Sequence, residues 1–186
     1  RRIALVAFLV LALFDGASAQ HRPVILIPGI LGSKLCDRAT GEVVWGGKDS
    51  LLRFGKLVLG SNEDPGASPY KPCGIIDDIQ IVGPWRVHQY DDLLKTLDGL
   101  GYTQEKDLFV FDYDWRFSNW HHAVELEKLI NEKIPTGEFD IIAHSMGGII
   151  AKIWTTKYDH SRLGFLITLG TPFKGSANTF KTMDEG

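Results

Sequence analysis

The chain has 186 residues and a mass of 20.7 kDa, with 44% hydrophobic and 23% charged residues. This ordinary composition excludes collagen-like, coiled-coil and disordered classes, and the length suits one domain with a real core. A formal net charge of −3 argues against a partner that is a nucleic acid, and two cysteines exclude a four-cysteine zinc site.

Residues 1–19 have the pattern of a secretory signal peptide. Two arginines precede an apolar run from Ile3 to Phe14, and an Ala-Ser-Ala cleavage site follows, so we predict cleavage before Gln20. The run is shorter than the roughly 20 apolar residues that a membrane span needs. We therefore expect residues 20–186 to be secreted or to enter an endomembrane lumen. A buried or anchoring N-terminal helix is the alternative.

The first predicted element of that portion is a buried parallel strand from Pro23 to Ile27, which ends at a Pro-Gly turn. From about residue 33 to 73 the chain loses periodicity, and we predict a long, lid-like loop. Its apolar stretch, which includes Trp45 and Val58, would either dock on a lipid surface or pack on the core.

Two cysteines, Cys36 and Cys73, bracket this loop. They are free to pair in the oxidising compartment that a signal peptide implies. In the chain-entropy model, closing the loop would stabilise the fold by about 4 kcal/mol. Two buried free thiols are the alternative.

Helices and strands alternate in the rest of the chain. The predicted helices are 91–100, 119–134 and 147–158, and the predicted strands are 108–111, 139–143 and 163–169. Such alternation is typical of βαβ units, so the predicted fold class is α/β, with a mostly parallel sheet covered by helices on both faces.

The segment FDIIAHSMGGII (139–150) carries the strongest chemical signal. A buried strand runs into Ser145, which is flanked by small residues, and then into a helix. This is the G-x-S-x-G nucleophile elbow with Ala143 in place of the first glycine. The strained turn would lift the Ser145 hydroxyl above the sheet and place the backbone N–H of Met146 where it stabilises an oxyanion. The alternative is an ordinary helix N-cap.

A second oxyanion donor is expected from the turn that follows the first strand. This turn lies at the carboxyl end of a parallel strand, where open α/β sheets form their ligand crevice. The backbone N–H of Ile30 is the best candidate within it. An ordinary Pro-Gly turn is the alternative.

The sequence resembles the lecithin:cholesterol acyltransferase-like group of the α/β-hydrolase superfamily. The resemblance rests on four stretches, PVILIPGILGSKL (23–35), YDWR (113–116), AHSMGG (143–148) and LGTPFKGS (169–176). It implies an α/β-hydrolase fold, a lid loop closed by a disulfide between Cys36 and Cys73, Ser145 as nucleophile, and Ile30 and Met146 as oxyanion donors. It also implies acyl transfer from a glycerophospholipid or other lipid ester to water, a sterol or another alcohol, without a metal or other cofactor.

The chain departs from this pattern after the nucleophile. In this fold the triad order is Ser, then an acid, then His, yet His160 is the sole histidine after Ser145. His160 would lie about 18 Å away, at the far end of the following helix. We therefore expect a chain truncated after the strand 163–169, without its acid and base, and inactive or nearly so.

Two further groups of residues leave alternatives open. The run from Asp112 to Arg116 would either line the crevice or form an Asp–Arg pair that holds its loop. His121 and His122 are expected to be a solvated pair rather than a metal site. His144 is expected to pack or to line the substrate pocket, with a role as base as the alternative. As alternatives to the acyltransferase or phospholipase, the chain could be a triacylglycerol lipase or carboxylesterase, or a non-catalytic product that only binds lipid.

Overall fold

The computed structural model describes residues 21–47, 50, 54–59, 64–76, 78–82, 85–88 and 90–175. The predicted signal peptide, residues 1–19, lies outside the described residues. Among the helices that the structure describes, none is long and apolar enough to cross a membrane.

Four parallel strands form the central sheet. They are β1 (Val24–Ile27), β7 (Leu108–Val110), β8 (Phe139–His144) and β9 (Leu163–Leu169), in the order β7-β1-β8-β9. Each is a short apolar run, and every residue of β1 is buried, as expected of a strand covered on both faces. The predicted α/β class with a mostly parallel sheet is confirmed.

The three predicted helices are α1 (Asp91–Gly99), α2 (Asn119–Lys133) and α3 (Met146–Lys157). Side chains alternate across β1, so Ile25 and Ile27 pack in one apolar cluster with α2 and α3. Val24 and Leu26 pack in a second cluster with Leu97 of α1. The helices therefore cover both faces of the sheet.

The segment predicted as a long loop contains regular structure. Strands β2 (Ser33–Asp37), β3 (Val43–Trp45) and β4 (Tyr70–Ile75) form an antiparallel sheet in the order β3-β2-β4. A further antiparallel pair, β5 (Asp78–Val82) and β6 (Trp85–His88), follows. These strands escaped prediction because they are short and their pairing depends on partners distant in sequence.

A disulfide and a small apolar cluster hold the β3-β2-β4 sheet together. The structure joins Cys36 of β2 to Cys73 of β4, with 5.9 Å between their Cα atoms. Trp45 and Leu57 are buried in the cluster, whereas Val58 is 75% exposed. Packing on the core therefore accounts for part of the apolar stretch, and its lid role stays a prediction.

A nearly buried ion pair connects this sheet to the segment after β7. Asp114 accepts hydrogen bonds from two guanidinium nitrogens of Arg116, and their side chains are 8% and 4% exposed. The same guanidinium donates to Ser68 Oγ and to the Leu57 carbonyl oxygen. The Asp–Arg pair that the sequence left open is therefore present, and it anchors two loops.

We expect Arg116→Met to lower the free energy of unfolding by about 3–5 kcal/mol, because it leaves the Asp114 carboxylate buried without its partner. Urea unfolding followed by circular dichroism measures this loss. Lys95→Met is the control, because it breaks the solvent-exposed pair with Asp91 and should change stability far less. Equal losses in the two variants would contradict the assignment.

Candidate active site

Ser145 occupies a strained turn between β8 and α3. Its backbone angles are φ 50° and ψ −119°, in a region that non-glycine residues rarely adopt. Such a conformation costs about 1–3 kcal/mol and persists only where the surroundings hold it. Here the Ser145 N–H donates to the Leu169 carbonyl of β9 at 2.8 Å, and the Ser145 carbonyl accepts from the Gly148 N–H at 3.1 Å.

The small residues after Ser145 are required by close backbone contacts. A Cβ on Gly147 would lie 2.6 Å from the carbonyl oxygens of both Ile27 and Pro28. A Cβ on Gly148 would lie even closer to the side chain of Thr171. Helix α3 can therefore approach the end of β1 only without a side chain at Gly147, and the segment after β9 only without one at Gly148.

The turn after β1 lies against this elbow. A Cβ on Gly29 would lie 2.9 Å from Ser145 Cβ and 2.9 Å from His144 Nδ1. The structure thus brings the Ile30 turn and Ser145 together, as the sequence predicted. Met146 is the first residue of α3, and N–H groups in a first helical turn have no partner within the helix. Two roles stay predictions: that of Ser145 as nucleophile, and that of Ile30 and Met146 as oxyanion donors.

Three aromatic side chains hold this turn. The Tyr90 hydroxyl accepts from the Gly29 N–H at 2.7 Å and is 2.8 Å from His144 Nδ1. The Tyr113 hydroxyl donates to the Pro28 carbonyl at 2.9 Å, and Trp45 Nε1 donates to the Leu31 carbonyl at 3.0 Å. Tyr113 belongs to the YDWR motif, but no local pattern points to Tyr90 or Trp45.

Burial changes the protonation of the groups around the turn. It raises the pKa of the Tyr90 hydroxyl to about 12, so this group is a neutral phenol at physiological pH. Burial also lowers the pKa of His144. Both groups are therefore neutral near pH 7, and a hydrogen bond between them costs no buried charge.

Neither histidine next to Ser145 or after α3 is hydrogen-bonded to the Ser145 hydroxyl in the part of the chain that the structure describes. His160 is exposed after α3, near the Tyr158 carbonyl, and His144 is bonded to Tyr90. Asp159, the residue before His160, lies in an exposed turn, where it accepts hydrogen bonds from Ser161.

The expectation of a solvated histidine pair is wrong for His122. This residue is 3% exposed because it packs against the ring of Tyr113, at 4.7 Å between ring centroids. Burial lowers the pKa of His122 to about 4, so it is neutral at physiological pH. Among the described residues, no group of three or more His, Cys, Asp or Glu side chains could hold a metal ion.

Comparison with known proteins identifies relatives of the whole described region. The family model of lecithin:cholesterol acyltransferase matches residues 73–186. The mouse lysosomal phospholipase A and acyltransferase is 25% identical, over 99% of this chain and 55% of its own length. The lecithin-cholesterol acyltransferase-like 4 of Arabidopsis thaliana is 29% identical, over 83% of this chain and 34% of its own length. The chain thus spans from about a third to about half of these curated relatives.

Among solved structures, a chain from the Tle4–Tli4 complex matches with a TM-score of 0.49 and 17% identity. The match covers 87% of this chain and 48% of that one.

We expect Gly147→Ala to lower the free energy of unfolding by about 1–3 kcal/mol, because the new methyl group would overlap two backbone carbonyl oxygens that cannot move freely. Gly99→Ala is the matched control. That glycine lies in helix α1 with open space around it, so alanine should stabilise the protein by about 0.5–1 kcal/mol. Urea unfolding of both variants measures the difference. Tolerance of alanine at both positions would contradict the packing described for the elbow.

Proposed function

The chain belongs to the lecithin:cholesterol acyltransferase family, and on that basis we propose that it transfers a fatty acyl chain from a lipid ester by way of Ser145. The acyl donor is a glycerophospholipid or a related lipid ester, and the acceptor is water, a sterol or another alcohol. Its relatives include a lysosomal phospholipase A and acyltransferase and a lecithin-cholesterol acyltransferase-like protein, and this supports the class of substrate. The observation that carries the proposal is the strained backbone of Ser145 at the start of α3.

The reaction has two balanced steps. Ser145 Oγ bonds to the ester carbonyl carbon and gives its proton to a base, while the carbonyl oxygen becomes an oxyanion. The N–H groups of Ile30 and Met146 donate to that oxyanion, and the helix dipole of α3 adds to its stabilisation. The bond to the glycerol oxygen then breaks, and that oxygen takes the proton. The acceptor alcohol or water repeats the sequence on the acyl-serine.

The base for this reaction comes from outside the described residues. His144 is committed to Tyr90 by its Nδ1 atom, and His160 lies beyond the far end of α3. Without a base, the Ser145 hydroxyl is a weak nucleophile, and loss of a triad costs orders of magnitude in rate. We therefore expect the 186-residue chain by itself to be nearly inactive, with residual reactivity from the oxyanion donors.

The protein works in a secreted or luminal compartment, at a lipid surface. The disulfide between Cys36 and Cys73 supports an oxidising environment. Exposed apolar side chains near the site support contact with lipid. Ile30, in the turn after β1, is 52% exposed, and Phe173, after β9, is 56% exposed.

We expect a fluorophosphonate probe to label the 186-residue chain slowly and only at Ser145, because the strained turn presents this hydroxyl to oxyanion donors. Mass spectrometry of the labelled peptide identifies the site. Ser145→Ala should abolish labelling, whereas Ser161→Ala, in an exposed turn, should leave it unchanged. Labelling that survives Ser145→Ala would refute the nucleophile assignment.

A second measurement tests the class of substrate, independently of which serine reacts with the probe. Phosphatidylcholine vesicles that carry a labelled acyl chain, with and without cholesterol, report released fatty acid and sterol ester. Only trace turnover, lost in Ser145→Ala, is expected from this chain alone. Rapid turnover by the 186-residue chain would contradict the need for an outside base, and hydrolysis of short esters without any lipid turnover would favour a carboxylesterase.

A further inference from the structure

We propose that Tyr90 is a positioning residue of this site, because its hydroxyl links the Gly29 N–H to His144 Nδ1 and so ties the turn that contains Ile30 to the residue before Ser145. This inference rests on the proposed function for its catalytic meaning. Its structural content, the fixed turn and the histidine tautomer, can be tested without any activity.

The Tyr90 hydroxyl lies between a fixed donor and a ring nitrogen. The Gly29 N–H donates to the Tyr90 oxygen at 2.7 Å, because a backbone N–H can only donate. The phenol has one proton to give, and His144 Nδ1 lies 2.8 Å from its oxygen. In the arrangement we propose, Tyr90 donates to Nδ1, and the neutral His144 ring carries its own proton on Nε2. Tyr90 is 3% exposed, so water does not compete for this chain of donors.

Gly29 is held on both sides, by Tyr90 at its N–H and by a backbone bond at the peptide that contains the Ile30 N–H. On one side of Gly29 its N–H is bound to Tyr90, and on the other its carbonyl accepts from the Gly32 N–H at 3.0 Å. No peptide bond in the described chain is cis, so the Ile30 N–H is directed opposite to the Gly29 carbonyl. Orientation of the Gly29 carbonyl towards Gly32 therefore sets the direction of the Ile30 N–H.

Tyr90 is hydrogen-bonded to both the turn and the elbow. Tyr113 and Trp45 bind the carbonyls of Pro28 and Leu31, on either side of the Gly29–Ile30 peptide. Tyr90 binds the Gly29 N–H and also His144, the residue covalently joined to Ser145. It thereby couples the two predicted oxyanion donors, Ile30 on the turn and Met146 on α3.

Tyr90→Phe removes the bridging hydroxyl and keeps the ring in its apolar cluster. Tyr102→Phe is the matched control, because Tyr102 is a buried tyrosine of the same cluster that packs against His21, away from the site. Loss of a generic buried hydroxyl would affect both variants alike. Loss of a positioning hydroxyl affects the Gly29 and Ile30 amides and the His144 ring in Tyr90→Phe alone.

The test is NMR spectroscopy of the 15N-labelled 186-residue chain near pH 7.5. In the wild type we expect the His144 ring nitrogens to report a proton on Nε2 and a bare, hydrogen-bonded Nδ1. In Tyr90→Phe we expect a mixed tautomer, and hydrogen exchange at Gly29 at least about tenfold faster, from the loss of one buried hydrogen bond of about 1.4 kcal/mol. Tyr102→Phe should show neither change.

Fluorophosphonate kinetics then connect the geometry to reactivity. We expect Tyr90→Phe to lower the maximal labelling rate of Ser145 about tenfold with little change in the half-saturating probe concentration, as for a loss felt only in the transition state. Tyr102→Phe should leave both constants unchanged.

The possible results test the positioning role of Tyr90 separately from the proposed function. A proton on Nδ1 of His144 in the wild type overturns the inference even if Tyr90→Phe does not fold. Unchanged His144 and Gly29 signals in Tyr90→Phe overturn it as well. Labelling that persists in Ser145→Ala would refute the proposed function instead, while the NMR signals still decide whether Tyr90 fixes the turn.

Discussion

The site depends on the parallel pairing of β1 with β8. Because Ile27 lies beside Ala143 in register, both strands end at the same level of the sheet, and the turn after one meets the elbow after the other. Contact at this distance leaves no room for side chains on Gly29 or Gly147. The glycines are thus a consequence of the strand register, and the strained Ser145 backbone is held between β9 and α3 for the same reason.

Buried aromatic side chains form hydrogen bonds with the backbone groups of the turn after β1. A turn of this kind has carbonyl and N–H groups that no strand satisfies, and burial makes each unpaired group costly. Tyr90, Tyr113 and Trp45 each supply one partner from a different element of the fold. The turn is therefore rigid because its hydrogen bonds lead into the core, and rigidity is what a preorganised oxyanion site requires.

Hydrogen bonds also join the β3-β2-β4 sheet to the turn after β1. Trp45 belongs to β3 and binds the Leu31 carbonyl, while Arg116 joins Asp114 to two loops around that sheet. A disulfide closes the sheet at β2 and β4. The hydrogen bond from Trp45 to the Leu31 carbonyl is thus a direct link between this sheet and the turn beside Ser145.

The sequence by itself determined the main elements of the parallel sheet, the three helices and the elbow, because apolar periodicity and the spacing of small residues around Ser145 are local patterns in the chain. It also indicated Ser145, the Ile30 turn and the pairing of two cysteines. Tertiary structure alone decided the antiparallel strands within residues 33–75, the burial of His122 and the place of Tyr90. These features depend on contacts between residues far apart in the sequence, such as Tyr90 and His144, which are 54 positions apart. No local sequence pattern indicates such contacts.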